Sequence, residues 1–294
     1  MSIMKSNRGW EAAIAAGLFL GVCGIANAQG AQSAQGSQSQ PPAQQTDKSK
    51  TLDVTPLSLD AAPPVNAEED AAYKAFQAVN PNDSAAKIAS GEAFLSKYAE
   101  SRYKSPVYGA LTYAYLQVGN AQKMQEYGEK EIALAPNDVS TLALLAQTLP
   151  RGLHGSASTP EAVQLLAKSE QYSKQAIEIT PTLPKPENMT DEAFASAKNQ
   201  TLAMAHSGLG LVYVRRGKNA DAIPELEQAV KIDPNPDPVN YYLLGMANKI
   251  TSHFDDAIVA FNKCATMTGP LQGTCKTKSE ESKKESATQL SAPK

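Results

Sequence analysis

Three separations in this chain coincide. Tyr115 to Tyr213, Gly119 to Gly217 and Pro136 to Pro234 are each 98 residues apart, while Gly210 to Gly245 and Ala222 to Ala257 are each 35 apart. Aromatic, Gly, Ala and Pro residues recurring at fixed offsets mark a repeated unit, so the chain folds as an array of stacked modules. Within the units apolar residues recur every three or four positions and no stretch alternates, which predicts helices and no strands. Pro136, Pro181 and Pro234 each follow an apolar stretch, where the missing N–H and the ring clash stop a helix. The spacing predicts helices over 67–79, 83–99, 105–118, 121–134, 139–149, 160–179, 190–216, 220–231, 238–250 and 254–266. Thr159 before Pro160-Glu161 and Thr190 before Asp191-Glu192 are hydroxyl caps followed by first-turn acids.

The unit itself reads His206-x2-Leu209-Gly210-x2-Tyr213, then Ala222-x3-Leu226, Ala229 and Pro234. The next reads Tyr241-x2-Leu244-Gly245-x2-Asn248, then Ala257-x3-Phe261, with Gly269-Pro270 at its end. An earlier one has Tyr108-x2-Leu111-x3-Tyr115, Gly119 and Pro136, with Met124 and Gly128 where Ala and an aromatic are expected. This pattern resembles the tetratricopeptide repeat, a unit of about 34 residues, over roughly residues 66–268. Two such units leave about 30 residues of the 98 as insertion, which enlarges the repeat at 139–202. The extra residues fall in 150–158 and 181–189 and in an extended helix at 190–216. Loops of that length serve a function or are neutral insertions.

The resemblance implies an all-α, right-handed solenoid of stacked antiparallel helix hairpins. Gly210 and Ala222 are small because the two helices of a hairpin cross closely there. The first helix of each hairpin lines a concave groove that takes an extended peptide or a partner's helix. Residues on those helices that the packing motif does not consume are Gly109, Tyr113 and Gln117, then Ser207, Leu211 and Arg215, then Tyr242, Met246 and Lys249. Each set is spaced by three or four, one face of a helix. Leu211 and Met246 suit a core position equally well.

Outside the repeats the sequence reads as an address and a tether. Lys5 and Arg8 precede a 15-residue run from Ala12 to Ala26 without charge beyond Glu11, closed by Ala26-Asn27-Ala28. That is the pattern of a secretory signal peptide over 1–28, cut after Ala28, with the periplasm as destination. A membrane anchor is the alternative, but 15 residues at about 1.5 Å each fall short of a hydrocarbon core of about 30 Å. Leu20-Gly21-Val22-Cys23 resembles a lipobox, with bulky Val22 where a small residue is needed. Residues 29–65 are Gln-, Ser- and Pro-rich, with little to bury against the entropy of ordering, and predict a flexible linker. Residues 269–294 predict a polar tail, its Lys/Glu run at 276–285 solvated. Cys264 and Cys275 flank Gly269-Pro270 and, in an exported chain, suggest a disulfide pinning the tail to the last helix; two free thiols are the alternative.

Signals for chemistry are poor. There is no HExxH, glycine-rich phosphate loop or G-x-S-x-G. His154, His206 and His253 lie far apart with no second metal ligand at useful spacing, and His206 sits at the motif's aromatic position. A net charge of −3 argues against a general nucleic-acid binder. The reading is therefore a non-enzymatic exported scaffold or adaptor for a protein or peptide, without cofactor or metal. Its alternatives are a structural subunit of an envelope complex, or a small-ligand binder or enzyme using the 150–160 loop around His154.

Overall fold

The structure, a computed structural model, describes residues 66–291. The expected signal peptide, Cys23 and the linker at 29–65 lie outside the described residues. Among those described there are eleven α-helices and no strand: α1 (Ala67–Ala78), α2 (Ser84–Lys97), α3 (Lys104–Gln117), α4 (Ala121–Leu134), α5 (Val139–Thr148), α6 (Pro160–Ile179), α7 (Asp191–Arg215), α8 (Asn219–Ile232), α9 (Pro238–Ile250), α10 (Phe254–Thr266) and α11 (Gln272–Ser291). They pack as successive hairpins, α3 on α4, α5 on α6, α7 on α8 and α9 on α10, with α7 also against α5 and α6, and α8 against α9.

Helix starts are set by short polar side chains that take up orphan backbone donors. Asp83 accepts from Ala86 N at 3.0 Å, Asn120 from Lys123 N at 3.0 Å, Asp138 from Thr141 N at 2.8 Å, Thr159 from Ala162 N at 3.2 Å and Thr190 from Ala193 N at 3.2 Å.

The ends of α3, α7 and α9 show the repeat in the backbone itself. Asn120 N donates to Tyr115 O at 2.9 Å, Lys218 N to Tyr213 O at 2.8 Å and His253 N to Asn248 O at 2.8 Å. Gly119, Gly217 and Ser252 each add a shorter-range bond, to Leu116 O, Val214 O and Lys249 O, and take φ of 72°, 74° and 65°. Each end is the same Schellman turn, which requires a left-handed residue just past the helix. Two units fill that position with Gly; the third strains a serine into it. Ser252→Gly is therefore expected to raise stability by about 0.5–1 kcal/mol, read as a higher midpoint in denaturant with an unchanged slope.

Packing follows the small residues. A Cβ on Gly210 would lie 2.7 Å from Leu226 Cγ, and one on Gly245 2.6 Å from Phe261 Cε1, so both glycines seat a large apolar side chain of the second helix of their own hairpin. Gly91 does the same for Leu111 of α3, and Gly128 for Leu145 of α5. The core runs the length of the array. Phe76, Phe94, Val107, Leu111 and Tyr115 fill the N-terminal end, and Leu211, Leu226, Leu243 and Phe261 the C-terminal end.

One departure from the sequence reading concerns the end of the chain. The Lys/Glu run at 276–285 is not a solvated tail: it lies in α11, which packs against α10. Cys264 and Cys275 are joined as a disulfide, Cα atoms 5.9 Å apart, and Ser279 and Ser282 are buried beneath the helix.

Candidate protein-binding face

The first helices α3, α7 and α9 carry the residues that the sequence places in a groove, and the structure divides them. On α3, Gln117 is exposed and accepts a hydrogen bond from Ser84 Oγ. Tyr113 is half-buried; burial pushes its phenol up, and the carboxylates of Asp138 and Glu131 add to the effect. Ser140, at the start of α5, is exposed beside it. Gly109 is not in the groove. It faces its own hairpin, where a Cβ would lie 2.5 Å from Glu131 Oε1.

On α7 and α9 the same register is occupied. Ser207 is 2% exposed, and its hydroxyl donates to Asn240 Oδ1 of α9 at 2.6 Å. Leu211 belongs to the C-terminal core, and Arg215 is buried. Tyr242 is buried with its ring 6.1 Å from Phe261; burial and then the nearby Glu281 carboxylate raise its pKa. Met246 is half-buried against the same core. Lys249 reaches α11, with ion pairs to Glu281 at 3.2 Å and Glu285 at 3.0 Å. Burial works against its charge, but the bonds to these carboxylates prevail and its pKa is raised.

What closes the middle of the face is a residue that the sequence reading left inside the insertion. Arg151, 4% exposed, follows α5 and crosses to α9. Its Nη1 lies 2.7 Å from Asp237 Oδ2, and its Nη2 donates to Ser207 Oγ at 3.4 Å. Gln147 Nε2 also donates to Ser207 Oγ at 3.4 Å. A polar seam thus joins α5, α7 and α9 where open groove was expected. Its only sequence signal is an Arg next to Gly in a loop, which does not reveal a partner so far along the chain.

Nothing in this arrangement gathers a reacting set. His154 is exposed in its loop, His253 is exposed with Nδ1 3.0 Å from Thr251 Oγ1, and His206 Nδ1 is 2.7 Å from Glu225 Oε2 of the adjoining helix. Among the described residues no group of His, Cys, Asp or Glu has the geometry to hold a metal, and no helix is long and apolar enough to cross a membrane. A shallow depression lined by Lys218, Asn219, Asp221, Ile250 and Thr251 lies at the turns within the last two hairpins.

Residues 205–236 match the tetratricopeptide repeat family. No curated protein matches the chain. Similar solved structures include TTC0263, a thermophilic TPR protein of Thermus thermophilus, at 16% identity and a TM-score of 0.44, covering 73% of this chain and 98% of that one. A tetratricopeptide repeat protein from Parabacteroides merdae has 14% identity and a TM-score of 0.33 over 73% of this chain and 90% of its own. The TPR domain of P58(IPK) has 15% identity and a TM-score of 0.26 over 76% of this chain and 68% of its own.

Proposed function

We propose that this chain, whose residues 205–236 match the tetratricopeptide repeat family, is a non-enzymatic scaffold that binds a protein or peptide partner in the bacterial envelope. The fold is generally a platform for protein–protein contact, since stacked hairpins present one continuous face. The observation that carries this reading is the exposure of Gln117 and Ser140 beside half-buried Tyr113, on a face that the chain itself closes farther along. An aromatic edge beside a side-chain amide and a hydroxyl suits an extended peptide, offering apolar area and hydrogen bonds together. The basic start, apolar run and Ala26-Asn27-Ala28 of the leader support export.

The test uses exposed positions, so that folding and binding separate. Gln117→Arg/Ser140→Arg is expected to melt within a degree or two of wild type, about 0.5 kcal/mol or less, and to lose the partners that wild type captures from envelope extract. Retention of every partner by the double variant would place binding elsewhere. The envelope form used in that capture should begin at Gln29 and lack tryptophan emission, because the single Trp is Trp10; a protein that keeps Trp10 is not cleaved as proposed.

A further inference from the structure

α11 lies close along α10, but few of the side chains that it buries there are apolar. The buried stripe runs from Leu271, just ahead of the helix, through Cys275, Ser279 and Ser282, three or four positions apart on one face. Beyond Cys275, where a packed helix ordinarily presents Leu or Ile, the stripe is serine. The remaining contacts are polar: Ser279 Oγ donates to Asn262 Oδ1 at 2.8 Å, and Glu281 and Glu285 hold Lys249. Half-exposed pairs of this kind contribute little to docking. The disulfide from Cys275 to Cys264 of α10 is the strong link. The helix that it holds reaches the Tyr242–Lys249 end of the inner face through its side chains, with Glu281 and Glu285 on Lys249 and Glu281 close to the Tyr242 phenol.

We propose that the Cys264–Cys275 bond is a latch, set when the chain folds, that decides whether α11 covers this end of the face or leaves it open to a partner. The proposal rests on the reading that the inner face binds partners. The latch closes by thiol–disulfide exchange with a disulfide oxidant. One cysteine thiolate attacks the oxidant's disulfide and releases the first of its thiols; the second cysteine displaces the other and completes the Cys264–Cys275 bond. The chain loses two electrons and two protons, and the oxidant leaves as two thiols. Both cysteines are fully buried once α11 is seated, which keeps a reductant from the bond. A chain folded in a reducing compartment has the end open, and one folded in an oxidising compartment has it closed.

Hydrogen exchange on the full chain tests this, comparing wild type refolded in air, wild type refolded with dithiothreitol, and Cys264→Ser/Cys275→Ser. Without the bond, amides of 276–288 should exchange at least about tenfold faster, while those of α7 and α8 are unchanged. Lys249 should also become more reactive toward an acylating reagent. The reduced wild type keeps both native side chains, so it controls for misfolding of the double variant. Equal protection of 276–288 with and without the bond would overturn the latch, because packing alone would then hold α11. Loss of protection through α9 and α10 as well would overturn it too, by making the bond a general brace. If exchange behaves as expected but partner capture is indifferent to the bond, the covered end is not a binding surface and that half of the proposal falls. Failure of the scaffold reading is distinct: capture would then be insensitive to Gln117→Arg/Ser140→Arg in both redox forms.

Discussion

Gly208→Ala should destabilise the protein by about 3 kcal/mol, although it adds a single methyl group. A Cβ at Gly208 would lie 2.6 Å from the Ala146 carbonyl carbon and 2.9 Å from Gln147 N. These are backbone atoms of α5, which cannot swing aside as a side chain can, so α5 and α7 must separate. The buried Leu142, Ala143, Leu145 and Ala146 of α5 would lose contact as they do. Gly210→Ala is the control. Its methyl meets the buried Leu226 side chain and no backbone atom closer than 3.4 Å, so overpacking there costs about 1–3 kcal/mol, partly offset by about 1 kcal/mol for replacing Gly within a helix. Denaturant melts should therefore place Gly210→Ala between wild type and Gly208→Ala, which has the clearly lower midpoint. Equal midpoints would mean that α5 and α7 do not cross backbone to backbone.

Glu131→Gln should remove a pH dependence of stability worth about 1–3 kcal/mol. The Glu131 carboxyl, 5% exposed, is wedged where α3, α4 and α5 meet, against Gly109 and under a hydrogen bond from Thr141 Oγ1. Burial pushes it up to about 7, the Thr141 bond pulls the other way, and Asp138 nearby adds to the rise. The folded chain therefore holds this proton to a higher pH than the unfolded chain, whose carboxyl titrates near 4.5. The stability tied to that proton is complete below pH 4.5 and is lost as pH rises through about 7. Melts of wild type across that window should fall with pH relative to Glu131→Gln, which stays neutral. Parallel curves for the two proteins would show that Glu131 is ionised in the fold throughout.

The ten helices from 67 to 266 were legible because their ends are written locally. Thr159 and Thr190 cap, Pro136 and Pro234 stop, and Gly119 and Gly217 turn the chain. α11 escaped because periodicity is read from apolar residues, and its buried positions past Cys275 are Ser279 and Ser282. The close crossing at Gly210 was legible, since a motif's small residue implies a large neighbour. The candidate face was legible only in part. Spacing puts Ser207, Leu211 and Arg215 on one side of α7, but does not say which neighbour that side meets; Asn240, the C-terminal core and Arg151 fill it. Gln117 lies on the part of the array that the insertion does not reach, and it is exposed.

Arg151 also bears on how the array yields under load. A row of hairpins that touch only their neighbours behaves as a chain of independent links and flexes at every joint. Here one guanidinium bridges from the end of α5 to the cap of α9 and passes over α7. The two joints beneath it cannot bend separately, so residues 139–250 act as one stiff beam. The junction with α4, where α5 makes sparser contacts, is left more compliant than this beam.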